Sequence, residues 1–109
     1  MIRKTFILLA LLILGASAYA RAMPEPRTVR ISDRVHVLLG PIQHANEYNQ
    51  GYMINSTVIV GDKGVILVDS GGTHEVGHHI AKAIRRITPK PVTHVINTHF
   101  HGDHYLGNS

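Results

Sequence analysis

Apolar and polar positions fall into short blocks that change period along the chain. Phe6 to Leu14 is an unbroken apolar run. Residues 21–27, with Pro24 and Pro26, read as an extended linker. Residues 28–31 and 34–38 read as two short strands around a turn at Ser32-Asp33. Residues 40–51 are polar and loop-like, and residues 52–60 read as a third strand. Gly61-Asp62-Lys63-Gly64 predicts a tight turn into Val65–Val68, an apolar run of the kind buried on both faces, so the two strands should form a hairpin. Residues 75–88 read as a helix, because Val76, Ile80, Ala83, Ile84 and Ile87 fall on one stripe. Thr73 is its expected N-cap, and Pro89 and Pro91 stop it. Residues 92–97 read as a strand and residues 98–104 as a loop.

Strands, a helix and then a strand feeding a polar loop predict an α/β layered fold. Ligands in such folds gather at the carboxyl ends of strands, and the last loop holds that position.

The N-terminal pattern points to export. A positive start (Arg3, Lys4), the apolar run and the small-residue stretch Ala16-Ser17-Ala18-Tyr19-Ala20 make a secretory signal peptide over residues 1–20, cleaved after Ala18 or Ala20. The run is too short to span a bilayer, which takes about 20 residues. The expected location is periplasmic or secreted, with no membrane association after cleavage. The mature chain is one small domain near the size where a single core becomes marginal. Exported domains of that size usually carry disulfides, and this chain has no Cys. Metal, or membership of something larger, is the remaining way to hold it. The formal charge of +4 includes Arg3 and Lys4. The other basic residues are scattered except Lys82, Arg85, Arg86 and Lys90, which read as a solvated helix face rather than a nucleic-acid surface.

Candidate chemistry concentrates in Thr98-His99-Phe100-His101-Gly102-Asp103-His104. The chain has 9 His in 109 residues, so a window of that size should hold about one. Imidazole nitrogens and a carboxylate are the ligand set zinc accepts. In an extended loop, residues two apart point the same way, so His99 and His101 can grip one ion. Asp103 and His104 are adjacent and diverge towards a second. Zinc lowers the pKa of bound water to about 7, which suits hydrolysis at neutral pH. Asp103 either holds an ion or orients the attacking water, and is the candidate catalytic residue. Of the other histidines, His78 and His79 read as the solvated side of the helix, His36 and His94 as structural strand residues, and His44 as a possible lining of a substrate cleft.

His99-x-His101-x-Asp103-His104 resembles the signature loop of the metallo-β-lactamase-fold superfamily. Asp69-Ser70-Gly71-Gly72 resembles its earlier aspartate motif, and Asn97-Thr98 also fits. The resemblance runs from about residue 28 to residue 109. It implies the N-terminal half of an αββα sandwich over residues 28–109: β-hairpins, one amphipathic helix and a strand leading to the metal loop. It implies His99 and His101 on one zinc, Asp103 and His104 on a second, and Asp69 behind them, bonded to the loop backbone. A His directly after the Asp is similar to the glyoxalase-type and subclass B3 pattern. Residues 44–51 and the signal are similar to exported members linked to sulfur oxidation and quinoprotein systems.

The implied function is exported, zinc-dependent hydrolysis of a small-molecule ester, thioester, lactone or β-lactam. In the superfamily each ion takes further ligands from the C-terminal half, and nothing after His104 supplies them. This chain alone is therefore expected to be inactive. Two alternatives stand beside that reading. One is a non-catalytic remnant or a split half that needs a partner chain to complete its site. The other keeps the fold but uses iron on sulfur compounds.

Overall fold

Every apolar run read as a strand pairs into one sheet, in a computed structural model that describes residues 22–109. The signal over residues 1–20 lies outside the described residues. β1 (Arg27–Arg30), β2 (Val35–Leu39), β3 (Ser56–Val60), β4 (Val65–Val68) and β5 (Val92–Ile96) lie side by side in chain order. β1 to β4 are antiparallel neighbours, whereas β5 runs parallel to β4. A parallel neighbour needs a crossover, and helix α1 (His74–Ile87) supplies it. Both predicted turns close locally. The Ser32 hydroxyl accepts the Val35 N–H at 3.1 Å, and the Gly61 N–H reaches the Gly64 carbonyl at 2.8 Å.

Helix α1 follows its sequence signals. The Thr73 hydroxyl accepts the Val76 N–H, Glu75 sits in the first turn, and Arg85 and Arg86 sit in the last. Its stripe of Val76, Ile80, Ala83 and Ile84 packs on Leu38, Val58, Val65 and Leu67 to form the core. Each such aliphatic side chain contributes about 2 kcal/mol by leaving water.

Several expectations are corrected. β3 starts at Ser56 rather than residue 52, because Tyr52 turns into the core and is fully buried instead of joining the ladder. β4 is buried on one face only. Val65 and Leu67 lie under α1, but Ile66 and Val68 point to the uncovered side and stay half-buried. Their cross-strand partners Ile59 and Thr57 are half-buried too, and β5 is exposed along its whole length. Residues 22–26 do not hang free as a linker. Met23 packs against the core, Pro26 is buried, and Glu25 pairs with Arg86. His79, expected in solvent, bonds the Pro24 carbonyl at 3.0 Å and meets the Tyr52 ring edge-on. His36 keeps a structural place, but its buried Nδ1 has no partner among the described residues. No helix among the described residues is long and apolar enough to cross a membrane.

Candidate metal centre

The site is built where β4 and β5 end together. The Asp69 N–H bonds the Ile96 carbonyl at 2.8 Å, which ties the two strand ends. Asp69 adopts a left-handed φ of 61°, which Asp and Asn tolerate better than other side chains. That bend sends its carboxylate under the segment that follows β5. Asp69 is 5% exposed. Oδ1 accepts the Thr98 N–H at 2.8 Å, and Oδ2 takes the Thr98 hydroxyl at 2.8 Å and His104 Nδ1 at 2.9 Å. Burial by itself would raise its pKa. The Thr98 N–H, the His104 ring, the Thr98 hydroxyl and the positive charge of a protonated His104 outweigh it, and hold the carboxyl below its ordinary value.

These bonds also decide where two imidazoles carry their lone pairs. An ionised carboxylate only accepts, so His104 Nδ1 carries its proton towards Asp69, and in the neutral ring Nε2 is left bare. The Thr98 hydroxyl gives its proton to Asp69 and can then only accept from His99 Nδ1, which lies 2.8 Å away. His99 Nε2 is bare as well. Asp69 thus sets one ring directly and the other through Thr98. Sequence reasoning placed Asn97-Thr98 beside the motif without giving Thr98 a role. A hydroxyl one residue before a ligating His was the available signal.

His99 Nε2 and His101 Nδ1 face each other at 3.0 Å. Two ligands on one tetrahedral zinc would stand about 3.3 Å apart, given Zn–N distances of about 2.0–2.1 Å. With His99 Nε2 bare, His101 Nδ1 donates to it here, and the other tautomer of His101 gives the pair the spacing and lone pairs that a cation needs. The other two candidates depart from the expected extended loop. Gly102–Tyr105 is a short helix, α2, followed by a 3-10 turn over Leu106–Asn108. The helical turn draws Asp103 and His104 together rather than apart, with Asp103 Oδ2 3.7 Å from His104 Nε2. The His99 and His104 rings lie 4.1 Å apart, so the two pairs adjoin. Among the described residues no three His, Cys, Asp or Glu side chains converge on one point. The donors suit zinc or a similar divalent ion in chemistry and pairing.

Gly72 lets this turn close, because a Cβ there would come within 3.0 Å of Asp103 Cα. The polar loop of residues 44–51 meets the segment before α1. Its Gln50 carbonyl accepts the Thr73 hydroxyl at 3.3 Å. His44 lies in that loop with an exposed side chain, and its carbonyl accepts from the Asn46 and Asn49 amides.

The family model described as "Metallo-beta-lactamase superfamily" matches residues 49–109, more than half of the chain. The chain belongs to the metallo-beta-lactamase superfamily. Asp69 and the whole of residues 97–104 lie inside the matched stretch. Solved metallo-beta-lactamases share the fold. The enzyme FIM-1 from Pseudomonas aeruginosa, in its mono-zinc form, aligns with a TM-score of 0.60 at 20% identity, over 82% of this chain and 38% of that one. A subclass B3 metallo-beta-lactamase isolated from a soil metagenome library aligns with a TM-score of 0.56 at 26% identity, over 83% of this chain and 30% of that one. The linear primary-alkylsulfatase of Pseudomonas sp. (strain ATCC 19151) is 34% identical over 50 residues, which is 46% of this chain and 10% of that protein. The chain thus spans well under half the length of each relative. The mixed five-stranded sheet with α1 is a partial metallo-beta-lactamase fold.

Proposed function

We propose that the protein is an exported, zinc-dependent hydrolase acting on a small ester, thioester, lactone or β-lactam. The observation that carries this reading is the buried Asp69 carboxylate, which leaves the bare nitrogens of His99 and His104 on adjoining donor pairs. His99 Nε2 and His101 Nδ1 would hold one ion, and Asp103 with His104 Nε2 a second. Bound zinc supplies Lewis acidity and makes water acidic enough to attack at neutral pH. Asp103, about a third exposed, keeps a carboxylate oxygen free to accept a proton from that water and aim it. A catalytic zinc takes three protein ligands and a water. The reading therefore includes further ligands from outside the described residues, in the same protein or a partner chain, and the 109-residue chain alone is expected to be inactive. The alkylsulfatase relative adds sulfate esters to the substrates worth testing.

The test is metal analysis of the natural protein purified from its own host, with a panel of carboxylic ester, thioester, lactone, β-lactam and alkyl sulfate. One or two zinc ions per protein are expected, with turnover that a chelator abolishes and that His99→Ala lacks. Iron as the dominant metal redirects the reading to chemistry on sulfur compounds. Metal-free protein, or turnover indifferent to chelator, overturns it.

A further inference from the structure

We propose that Asn97 is a positioning residue that fixes the backbone of His104, with Asn108 holding Asn97 in place. The inference rests on the metal-site reading above and assigns a role to residues outside the motif. His104 is gripped at two points. Its ring Nδ1 meets Asp69, and its carbonyl oxygen accepts both the Ser70 N–H at 2.9 Å and Asn97 Nδ2 at 3.0 Å. Those two donors come from the ends of β4 and β5, so both lone pairs of the carbonyl are held by the sheet. With ring and backbone both fixed, the direction of Nε2 is fixed.

The amide orientations follow from one another. A carbonyl only accepts, so the Asn97 nitrogen must face His104. Its oxygen then faces Asn108 and takes Asn108 Nδ2 at 2.9 Å. Asn108 Oδ1 is left for the buried Ser70 hydroxyl, which it accepts. Asn108 thereby closes a ring of polar contacts from Ser70 through Asn97 to His104. Both amides are exposed, so their loss costs little packing. What is lost is the aim of His104. His99 and His101 make no hydrogen bond to Ser70, Asn97 or Asn108, and His99 meets this network only where its ring adjoins that of His104, so the effect falls mainly on one donor pair.

The experiment uses the whole natural protein, stripped of metal and refilled with cobalt(II), in unsubstituted form and as Asn97→Ala, Asn97→Asp and Asn108→Ala. In both Asn97 variants the first equivalent is expected to bind as before. The second should weaken at least about tenfold and change its visible spectrum. Asn97→Asp separates a donor from a charge effect, because an added carboxylate would by itself strengthen cation binding. Asn108→Ala is expected to give a smaller shift of the same kind. Thermal midpoints should stay close to that of the unsubstituted protein. In metal-free protein, the proton NMR signal of His104 Nδ1–H, sheltered by Asp69, should be sharp and should broaden in Asn97→Ala. Equal weakening of both equivalents, an unchanged second equivalent, or tighter binding in Asn97→Asp overturns the proposal. If the unsubstituted protein takes up no cobalt, the hydrolase reading fails, and the metal-free signal still decides the clamp: unaltered in Asn97→Ala, it sinks it.

Discussion

Two hydroxyls stand in opposite conditions at the scale of single residues. The Thr98 hydroxyl is fully used, giving to Asp69 and taking from His99. Thr98→Val keeps the shape and removes both bonds, so His99 loses the partner that orients its ring. Metal held by His99 and His101 is expected to weaken by about tenfold, read by competition with a chromophoric chelator. Unchanged affinity would show that Asp69 acts without the relay. The Tyr52 hydroxyl, by contrast, is buried with no partner among the described residues. Burial, then the charge of Glu25, pushes its pKa up to about 12 from 10.0. The folded state therefore holds the proton more tightly than the unfolded state. Its contribution is complete below pH 10.0 and is lost as pH rises towards about 12. Tyr52→Phe should raise stability by about 1 kcal/mol at neutral pH, by removing an unsatisfied group. It should also flatten the alkaline loss. Urea unfolding on both sides of that pH, against the parent, checks both effects.

Between elements, α1 and the 3-10 turn meet through glycine. A Cβ at Gly77 would lie 2.3 Å from the Gly107 carbonyl oxygen. Gly107 cannot retreat freely, because its N–H bonds the Gly71 carbonyl at 2.8 Å. In an open helix, alanine is better than glycine by about 1 kcal/mol. Here the sign should reverse, with Gly77→Ala destabilising by about 2 kcal/mol through overpacking. Residues 106–108 would move with it, so the variant should also disturb Asn108. Denaturant midpoints measure the first effect, and a more stable Gly77→Ala protein would contradict the packing. The same contact explains why a glycine sits mid-helix in a sequence otherwise well suited to α1.

At the scale of the whole molecule, the sheet has one face covered by α1 and one open among the described residues. Ile96 is 51% exposed and Phe100 84%; Val92 and Val95 on β5 are exposed too, at the edge of the face that α1 covers, in register with Val65 and Leu67. Ile59, Ile66 and Val68 form a half-buried apolar patch on the side away from α1. A surface of that kind draws partners or drives association. The 109-residue chain expressed alone is expected to self-associate in sedimentation velocity. A single monomeric boundary with a cooperative melt would show that this sheet is stable with one layer.

Much of the architecture was legible in order. Short runs bounded by turns marked the strands, a period of 3.6 with Thr73 and the prolines marked α1, and the crowding of His and Asp after β5 marked the candidate site. These signals are local, so a short stretch of chain carries them. The missed features join residues far apart. His79 looked solvent-facing because nothing nearby in sequence covers it, yet Pro24 and Tyr52 do. Ile66 and Val68 carry the composition of a two-sided core strand, but burial depends on what packs above them. Asp103 and His104 were expected to diverge, because alternation assumes an extended chain; a helical turn, held by Ser70 and Asn97, brings them together. The sequence by itself determined which elements form and which side chains offer lone pairs, since propensity and ligand chemistry belong to the residues. Only the tertiary structure decided which nitrogens are bare and where they point, because that depends on Asp69, Thr98 and Asn97 meeting across the ends of two strands.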